Sequence, residues 1–424
     1  MPQVGSPLRI VFLSHYFPPE VNAPAVRALD HCSQWMRAGA EVTIVTCAPN
    51  HPRGELYPGH KNSCWQTTTV EGIRVIRVWS YLAPNEGVFR RSLNHISYML
   101  SVCLAAPFLP ATDVVVSTSP QFFCGLAGYL VSRVKRVPWV LEIRDLWPQA
   151  IREVGAIQNR SIIRALEKME EWAYRNADMV VTVTQAFRRH IEARCGRPGT
   201  VAVITNGVNL TLFSAPRRDP ELERTLGLTG KFVVGYFGTL GMAHHLETLV
   251  EAAALLRDEP EIAFLIVGDG VERARLERLQ KAHGLANVVM LGQQPRQHMP
   301  GLWGLCDVAL AHTRKSPIFA KMIPAKMFEA MAMERPIILG FEGESREIVE
   351  EAGCGLAIEP ENPLMLADAV RRLAADRGLA AEMGRRGRRL VTERYDRSKL
   401  ASELLTILQQ VVSAHGRPTR VGRG

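Results

Sequence analysis

The sequence predicts an α/β protein built from two successive doubly wound parallel-sheet domains. Three observations carry that expectation. Strand-like and helix-like stretches alternate along the whole chain, the pattern of parallel sheets covered by helices on both faces. The strand-like runs are short and continuously apolar, as strands buried on both faces require. The alternation also restarts after a polar segment holding Pro216, Arg217, Arg218, Asp219 and Pro220, which reads as a linker. A chain of 424 residues is too long for one ordinary core and about right for two.

In chain order, LRIVFLS (8–14) is the first buried strand, a helix follows over about Pro24–Ala38 and stops at Gly39, and EVTIVTC (41–47) is the second strand. TTTVEGIRVIRVW (67–79) alternates about a central Glu-Gly, which predicts a hairpin. DVVVSTS, VPWVLEI and DMVVTVT are further strands, and VAVITNGVN closes the first half with an Asn-Gly turn. The second half reads KFVVGYFG, EIAFLIVGDG, NVVMLG, DVALAHT and PIILG as strands, with helices between them. The expected division is 1–209 and 210–397, with an amphipathic helix at 398–413 packing back on the first domain and a disordered basic tail over 414–424. Two such units imply ligand crevices at the carboxyl ends of their strands.

Composition excludes several classes. The hydrophobic share of 47% and charged share of 22% are those of a soluble globular protein. Eight scattered cysteines without a C-x-x-C pair argue against a zinc or redox site and for reduced thiols in the cytoplasm. No basic n-region with a long apolar run opens the chain, so no signal peptide is expected. The net charge of +9 fits an anionic membrane surface or phosphorylated substrates, and no nucleic-acid-binding signature accompanies it. The apolar stretch ISYMLSVCLAAPFLP (96–110) is shorter than the roughly 20 residues of a membrane span. Two readings stay open for it: an ordinary core helix, or a helix dipping into a membrane surface.

The segment SPIFAKMIPAKMFEAMAMERPIILG (316–340) carries the clearest chemistry. Pro324 reads as the first residue of a helix, and Lys326 adds a cation to its first turn, where the helix end is already positive. A bound diphosphate would resolve that conflict, and Glu329, three residues on, is a candidate acceptor for ribose hydroxyls. The alternative is an amphipathic helix with a surface i,i+3 pair. No Ser-His-Asp set, metal-ligand spacing, Walker loop or dinucleotide fingerprint appears.

This segment resembles the nucleotide-binding helix of glycosyltransferase family 4, retaining enzymes of the GT-B fold, in which two Rossmann-like domains face a central cleft. Glu329 takes the place of the family's second glutamate, and Ala330-Met331-Ala332 and Arg335-Pro336 follow as the resemblance requires. Lys321 stands where the first glutamate is usual. Pro324-Ala325-Lys326-Met327-Phe328-Glu329 resembles a subgroup of bacterial O-antigen and exopolysaccharide transferases, as do Tyr16-Phe17-Pro18-Pro19-Glu20 and Arg144-Asp145-Leu146-Trp147-Pro148. In GYFGTLGMAHHLETLVEAA (235–253), Thr239 and His244 occupy the positions of the family's phosphate-binding arginine and lysine. LIVGDG resembles its strand end near the nucleotide, with Gly268 in the tight turn.

The resemblance implies a retaining transferase for a nucleoside-diphosphate sugar, most simply UDP-linked. The implied acceptor is a lipid-linked saccharide at the inner membrane face, with no cofactor and no metal. It makes Arg144, Asp145 and Lys321 candidate catalytic residues. Thr239, His244, Gly268, Lys326 and Glu329 are the candidate donor contacts, with His244 either protonated or donating as a neutral imidazole. Glu20, Asn22 and Arg27 are the candidate acceptor contacts, although Glu20 also suits a structural turn and Asp145 a helix cap. Two other readings remain: a GT-B enzyme that is not a transferase, such as a UDP-sugar 2-epimerase, and an inactive carbohydrate-binding relative.

Overall fold

In a computed structural model, residues 7–20, 22–84, 88–119, 121–153, 159–214 and 218–416 are described. They divide into two compact units, Met1–Thr205 with Ser398–Gly424, and Asn206–Arg397. Pro216 and Arg217 of the expected linker lie outside the described residues.

The first unit is an eight-stranded sheet in the order β3-β4-β2-β1-β5-β6-β7-β8. Its strands are β1 (Arg9–Leu13), β2 (Glu41–Cys47), β3 (Trp65–Val70), β4 (Ile73–Val78), β5 (Val114–Thr118), β6 (Trp139–Ile143), β7 (Met179–Thr182) and β8 (Val201–Val203). All pair in parallel except β3 with β4. That pair is the expected hairpin: Val70 faces Ile73, and the two loop residues both have positive φ, 49° at Glu71 and 83° at Gly72. Two such residues give a turn whose twist matches the strands, and glycine at the second position makes it inexpensive.

The helices of this unit are α1 (Ala23–Arg37), α2 (Val88–Ala105), α3 (Phe122–Lys135), α4 (Trp147–Glu153), α5 (Arg160–Asn176) and α6 (Gln185–Cys195). Their ends follow local chemistry. Thr184 Oγ1 accepts from Phe187 N to start α6, and Gly196, at φ 62°, ends it in the left-handed conformation. The chain's last helix, Arg397–His415, returns to this core. Leu400, Leu404 and Leu408 pack with Phe12, Trp35 and Ile44, and the Trp35 indole donates to Ala401 O at 2.8 Å. The helix runs through His415, past the expected start of the tail at 414; residues 417–424 lie outside the described residues.

The second unit is a six-stranded parallel sheet in the order β11-β10-β9-β12-β13-β14. The strands are β9 (Phe232–Phe237), β10 (Ile262–Val267), β11 (Val288–Leu291), β12 (Val308–His312), β13 (Ile337–Gly340) and β14 (Gly355–Ala357). β9, β10, β12 and β13 are buried at every position, which explains their unbroken apolar sequences. Both sheets reverse strand order once: β1 lies between β2 and β5, and β9 lies between β10 and β12. The carboxyl ends at those reversals are where this class of sheet binds ligands. Among the described residues, no helix is long and apolar enough to cross a membrane.

Candidate functional site

At the carboxyl end of β9 the backbone becomes crowded. Gly238 has φ 143° and Gly268, at the end of β10, has φ 148°. A Cβ on Gly268 would lie 1.9 Å from Gly238 O, and one on Gly270 would lie 2.3 Å from Leu240 O. Only glycine permits that approach. The two loops are laced by Gly238 N to Val267 O and Leu240 N to Asp269 O, both 2.9 Å. Tyr236, the last residue but one of β9, donates its hydroxyl to Thr239 O at 2.9 Å, which leaves the Thr239 side chain at an exposed position.

Over this floor stands the helix Ala325–Ala332. Pro324 is its N-cap, with ψ at 126°, and not its first helical residue as expected; an extended ψ keeps it outside the helix. Lys326 nonetheless falls in the first turn. Its Nζ lies 3.7 Å from the centroid of the Tyr236 ring and close to Gly238. The ammonium is shielded from solvent and has no hydrogen-bond partner. Burial lowers its pKa to about 7, against a weaker opposing pull from Glu329. Lys326 and Glu329 are therefore not a surface ion pair. Burial raises the Glu329 carboxyl, opposed first by Arg397, then by Arg296, the Trp303 indole and Lys326.

His244 sits in a single turn, Met242–His244, beside β12. Its Nδ1 faces His312 O at 3.3 Å, while His312 Nδ1 faces His244 O at 2.8 Å and His312 Nε2 accepts from Glu361 N at 2.9 Å. That last bond fixes the His312 proton on Nδ1. Burial, with Lys326 as the next cause, lowers His244 to about 3, so it is neutral near pH 7. With its proton on Nδ1 toward a carbonyl, its Nε2 carries a lone pair. Donation to a phosphate from the neutral ring, one of the two expectations, is disfavoured by this bond. Lys321 is half-buried at the end of a one-turn helix, Phe319–Lys321.

One cation here was not legible as a candidate. Arg314 lies two residues past the end of β12, its backbone N–H donates to Ala243 O at 2.8 Å, and its Nε is buried without a hydrogen-bond partner. The available signal was its place just past the strand end in DVALAHTR, on the strand beside β9.

In the first unit, the structure gives three expected contact residues internal tasks. Arg27 is buried and paired with Glu142 at 2.9 Å; it also donates to Thr205 O and Ile204 O. Glu142 in turn accepts from Thr118 Oγ1 at 2.5 Å. An arginine so engaged holds β6 to the end of the unit, which corrects its expected place among acceptor contacts. Glu20 Oε1 accepts from Asn50 N and His51 N at 2.9 Å, and Oε2 from Phe17 N at 3.3 Å. Its carboxylate fixes a loop. Asn22 caps α1, accepting from Ala25 N at 3.0 Å.

Arg144 N donates to Ser119 Oγ at 2.8 Å, at the carboxyl ends of β5 and β6. Asp145 lines a recess with Phe122, Trp147, Glu170 and Tyr174, where burial raises its carboxyl to about 6 despite Arg144. Phe122 and Trp147 stack across this recess at 5.4 Å. Among the described residues, no group of three or more His, Cys, Asp or Glu side chains is placed to hold a metal ion.

Comparison with known proteins places both units in one family. Residues 22–207 match the glycosyl transferase 4-like domain, and residues 219–390 match glycosyl transferases group 1. Among curated relatives, the probable glycosyltransferase WbjE of Pseudomonas aeruginosa is 27% identical over 60% of this chain and 64% of its own length. The aligned region therefore spans less than two thirds of that relative. WcaI of Escherichia coli K12, named for a glycosyl transferase role in colanic acid biosynthesis, is 25% identical over 80% of this chain and 86% of its own. A GDP-mannose-dependent alpha-mannosyltransferase of Mycolicibacterium smegmatis is 27% identical over 88% and 92%.

Two solved structures share the fold at low identity. Sucrose-phosphate synthase from Thermosynechococcus elongatus has a TM-score of 0.78 at 19% identity, over 96% of this chain and all of its own. Anabaena HepE in complex with UDP and glucose has a TM-score of 0.71 at 20% identity, over 95% and 99%. With two parallel-sheet units each matching its own half of one enzyme family, the chain belongs to the GT-B glycosyltransferases of family 4 type.

Proposed function

We propose that the protein transfers a sugar from a nucleoside-diphosphate sugar to a lipid-linked saccharide, with retention of anomeric configuration, in surface polysaccharide synthesis. The observation that carries the donor half is the Lys326 ammonium, buried and unpartnered at the carboxyl end of β9. A buried cation without a partner is costly unless a ligand neutralises it. A diphosphate would do so, with Arg314 as a second cation and Glu329 on the ribose. Lys326 and Arg314 would then stabilise the charge that develops on the departing diphosphate, with no metal and no protein nucleophile. The UDP-bound state of HepE supports uridine, and the mannosyltransferase relative makes GDP the main rival. On this reading Lys321 is a sugar contact of the second unit, and Arg144 and Asp145 are the candidate catalytic residues of the first.

The lipid half rests on α2. Phe89, Leu93, Leu100 and Leu104 recur at helical spacing on an outward stripe, and Phe108 continues it; Leu104 is 78% exposed and Phe108 76%. Leu130 and Val134 of the neighbouring α3 widen the patch; exposed Arg90 follows Phe89 in sequence, and Lys135 donates to Pro107 O at 3.2 Å beside Phe108. Apolar side chains edged by cations suit the surface of an anionic bilayer.

Incubation with UDP-glucose, UDP-N-acetylglucosamine, UDP-glucuronate and GDP-mannose tests the first half. Slow release of nucleoside diphosphate with free sugar of the donor's own configuration is the expected result; an isomerised sugar would make the protein an epimerase. For the second half, Leu104→Asp with Phe108→Asp should abolish flotation with anionic vesicles. Equal flotation by wild type and variant would remove the membrane role.

A further inference from the structure

The inward face of α2 is as polar as its outward face is apolar. Arg91, Asn94, His95 and Tyr98 follow one another at three-, four- and seven-residue spacing from Arg91, so they share a face. Tyr98 donates its hydroxyl to Val45 O at 2.7 Å, and Asn94 Nδ2 donates to Tyr81 O at 2.5 Å. These bonds clamp the helix to β2 and to the segment just past β4. A chain of rings continues inward: His95 lies 4.8 Å from His15, His15 lies 5.0 Å from Tyr16, and Tyr16 lies 4.9 Å from His51. Tyr16, His51, Arg91, Asn94 and His95 line one recess.

The walls of this recess are fixed from behind. The buried Glu20 carboxylate accepts from the backbone of Asn50 and His51, and so sets the His51 wall. Tyr98 and Asn94 set the opposite wall. Arg91 faces the space with no ion-paired carboxylate among the described residues. Both imidazoles are neutral near pH 7: burial and then Arg91 lower His51 to about 4, and burial, then His15 and Arg91, hold His95 well below its ordinary range. Each neutral ring offers one N–H, Tyr16 offers a hydroxyl, and the guanidinium offers up to five N–H donors. The recess thus carries one positive charge and a majority of donors. A sugar hydroxyl would leave that charge unmatched, whereas an oxyanion with several acceptor oxygens would use all of it.

We propose that this recess binds the phosphate of the acceptor, the group that joins lipid to saccharide. The assignment rests on the lipid-linked acceptor proposed above. It gives α2 one task on each face, lipid outside and phosphate inside, separated by the helix diameter of about 10 Å.

The test uses the full-length protein with saturating UDP, which occupies the nucleotide site of the second unit. Calorimetric titration with hexyl phosphate, inorganic phosphate and hexanol then reads the recess. Hexyl phosphate should bind at least fivefold tighter than inorganic phosphate, and hexanol should not bind. Arg91→Met should weaken hexyl phosphate at least tenfold with unchanged UDP affinity, and Arg91→Lys should keep it within about threefold. Equal binding by wild type and Arg91→Met would overturn the recess. Inorganic phosphate binding at least as tightly as the ester would overturn its link to the acceptor. Arg91-dependent ester binding in a protein that hydrolyses no nucleotide sugar would instead overturn the transferase reading and leave the recess standing.

Discussion

Arg27 of the first unit and Lys326 of the second are both shielded cations near the carboxyl ends of their sheets, and the two are treated in opposite ways. Arg27 of the first unit meets Glu142 at 2.9 Å and two carbonyls, so its charge and its donors are matched within the fold. The Lys326 ammonium of the second unit lies over the face of Tyr236 with no hydrogen-bond partner among the described residues. A ring face attracts a cation by about 2 kcal/mol or somewhat more when dry, still less than burial of an ammonium costs. The first cation is part of the structure's own balance. The second is held out of balance, as a group awaiting an anion would be.

That contrast predicts opposite signatures for removal. Arg27→Met leaves Glu142 buried and unpaired, and should lower unfolding stability by about 3–5 kcal/mol. Urea denaturation of the wild type, Arg27→Met and the double variant Arg27→Met with Glu142→Leu measures it. The double variant should recover much of the loss, because no charge is then stranded. A single variant as stable as wild type would mean that the pair is not what secures β6.

Lys326→Met should leave stability unchanged or raised, and should weaken UDP by about 1.5–3 kcal/mol, the scale of hydrogen bonds to a charged group. Glu329→Ala should weaken UDP by roughly 1–3 kcal/mol on the same grounds. The pH dependence sharpens the point. Lys326 is depressed to about 7 when folded, against the ordinary 10.5 of an unfolded lysine. Between those values the unfolded chain holds a proton that the folded chain has released, so this group makes stability rise with pH across about 7 to 10.5. Below 7 the cost of burying the charge is felt in full. Lys326→Met should therefore exceed wild type most at pH 7 and below, and the gap should close toward pH 10. Binding of UDP restores the charge, so above pH 7 it should take up a proton. Calorimetry in buffers of different ionisation enthalpy reads that uptake directly, and a buffer-independent heat at pH 8 would leave Lys326 outside the phosphate site.

The same contrast bears on what the sequence disclosed. The strands of both sheets were legible because parallel strands are apolar throughout, and the β3–β4 turn because Glu71-Gly72 interrupts an alternation. The start of the helix at 325–332 was legible to within one residue. Matching across the chain was not. Glu142 reads as one polar residue inside VPWVLEI, and its partner lies 115 positions earlier, so nothing local marks the pair. Glu20, Asn22 and Arg27 looked available for the same reason: their partners are backbone groups or distant side chains. Lys326 stood out because its misfit is local, a cation in the first turn of a helix. Arg91 and His95 were hidden in a helix whose apolar residues dominate its pattern, since the sequence does not say which face turns inward.

Lys321 tests the comparison at its weakest effect. It is half-buried, closes the one-turn helix Phe319–Lys321, and forms no ion pair among the described residues. It resembles Lys326 in lacking a carboxylate partner but differs in retaining contact with water, so its charge carries little strain. Where relatives place a glutamate, a lysine reverses the charge offered to the sugar. A donor bearing a carboxylate would gain a charge-assisted bond, about twice as strong as one to a neutral hydroxyl. Lys321→Glu should then lower the kcat/KM ratio of UDP-glucuronate to UDP-glucose by about five- to tenfold, roughly 1–1.4 kcal/mol. Stability should change by no more than about 0.5 kcal/mol, as for other sites in contact with solvent. If the ratio stays flat across the donor panel, Lys321 belongs to the surface, and the donor pocket is set by Lys326 and Arg314 alone.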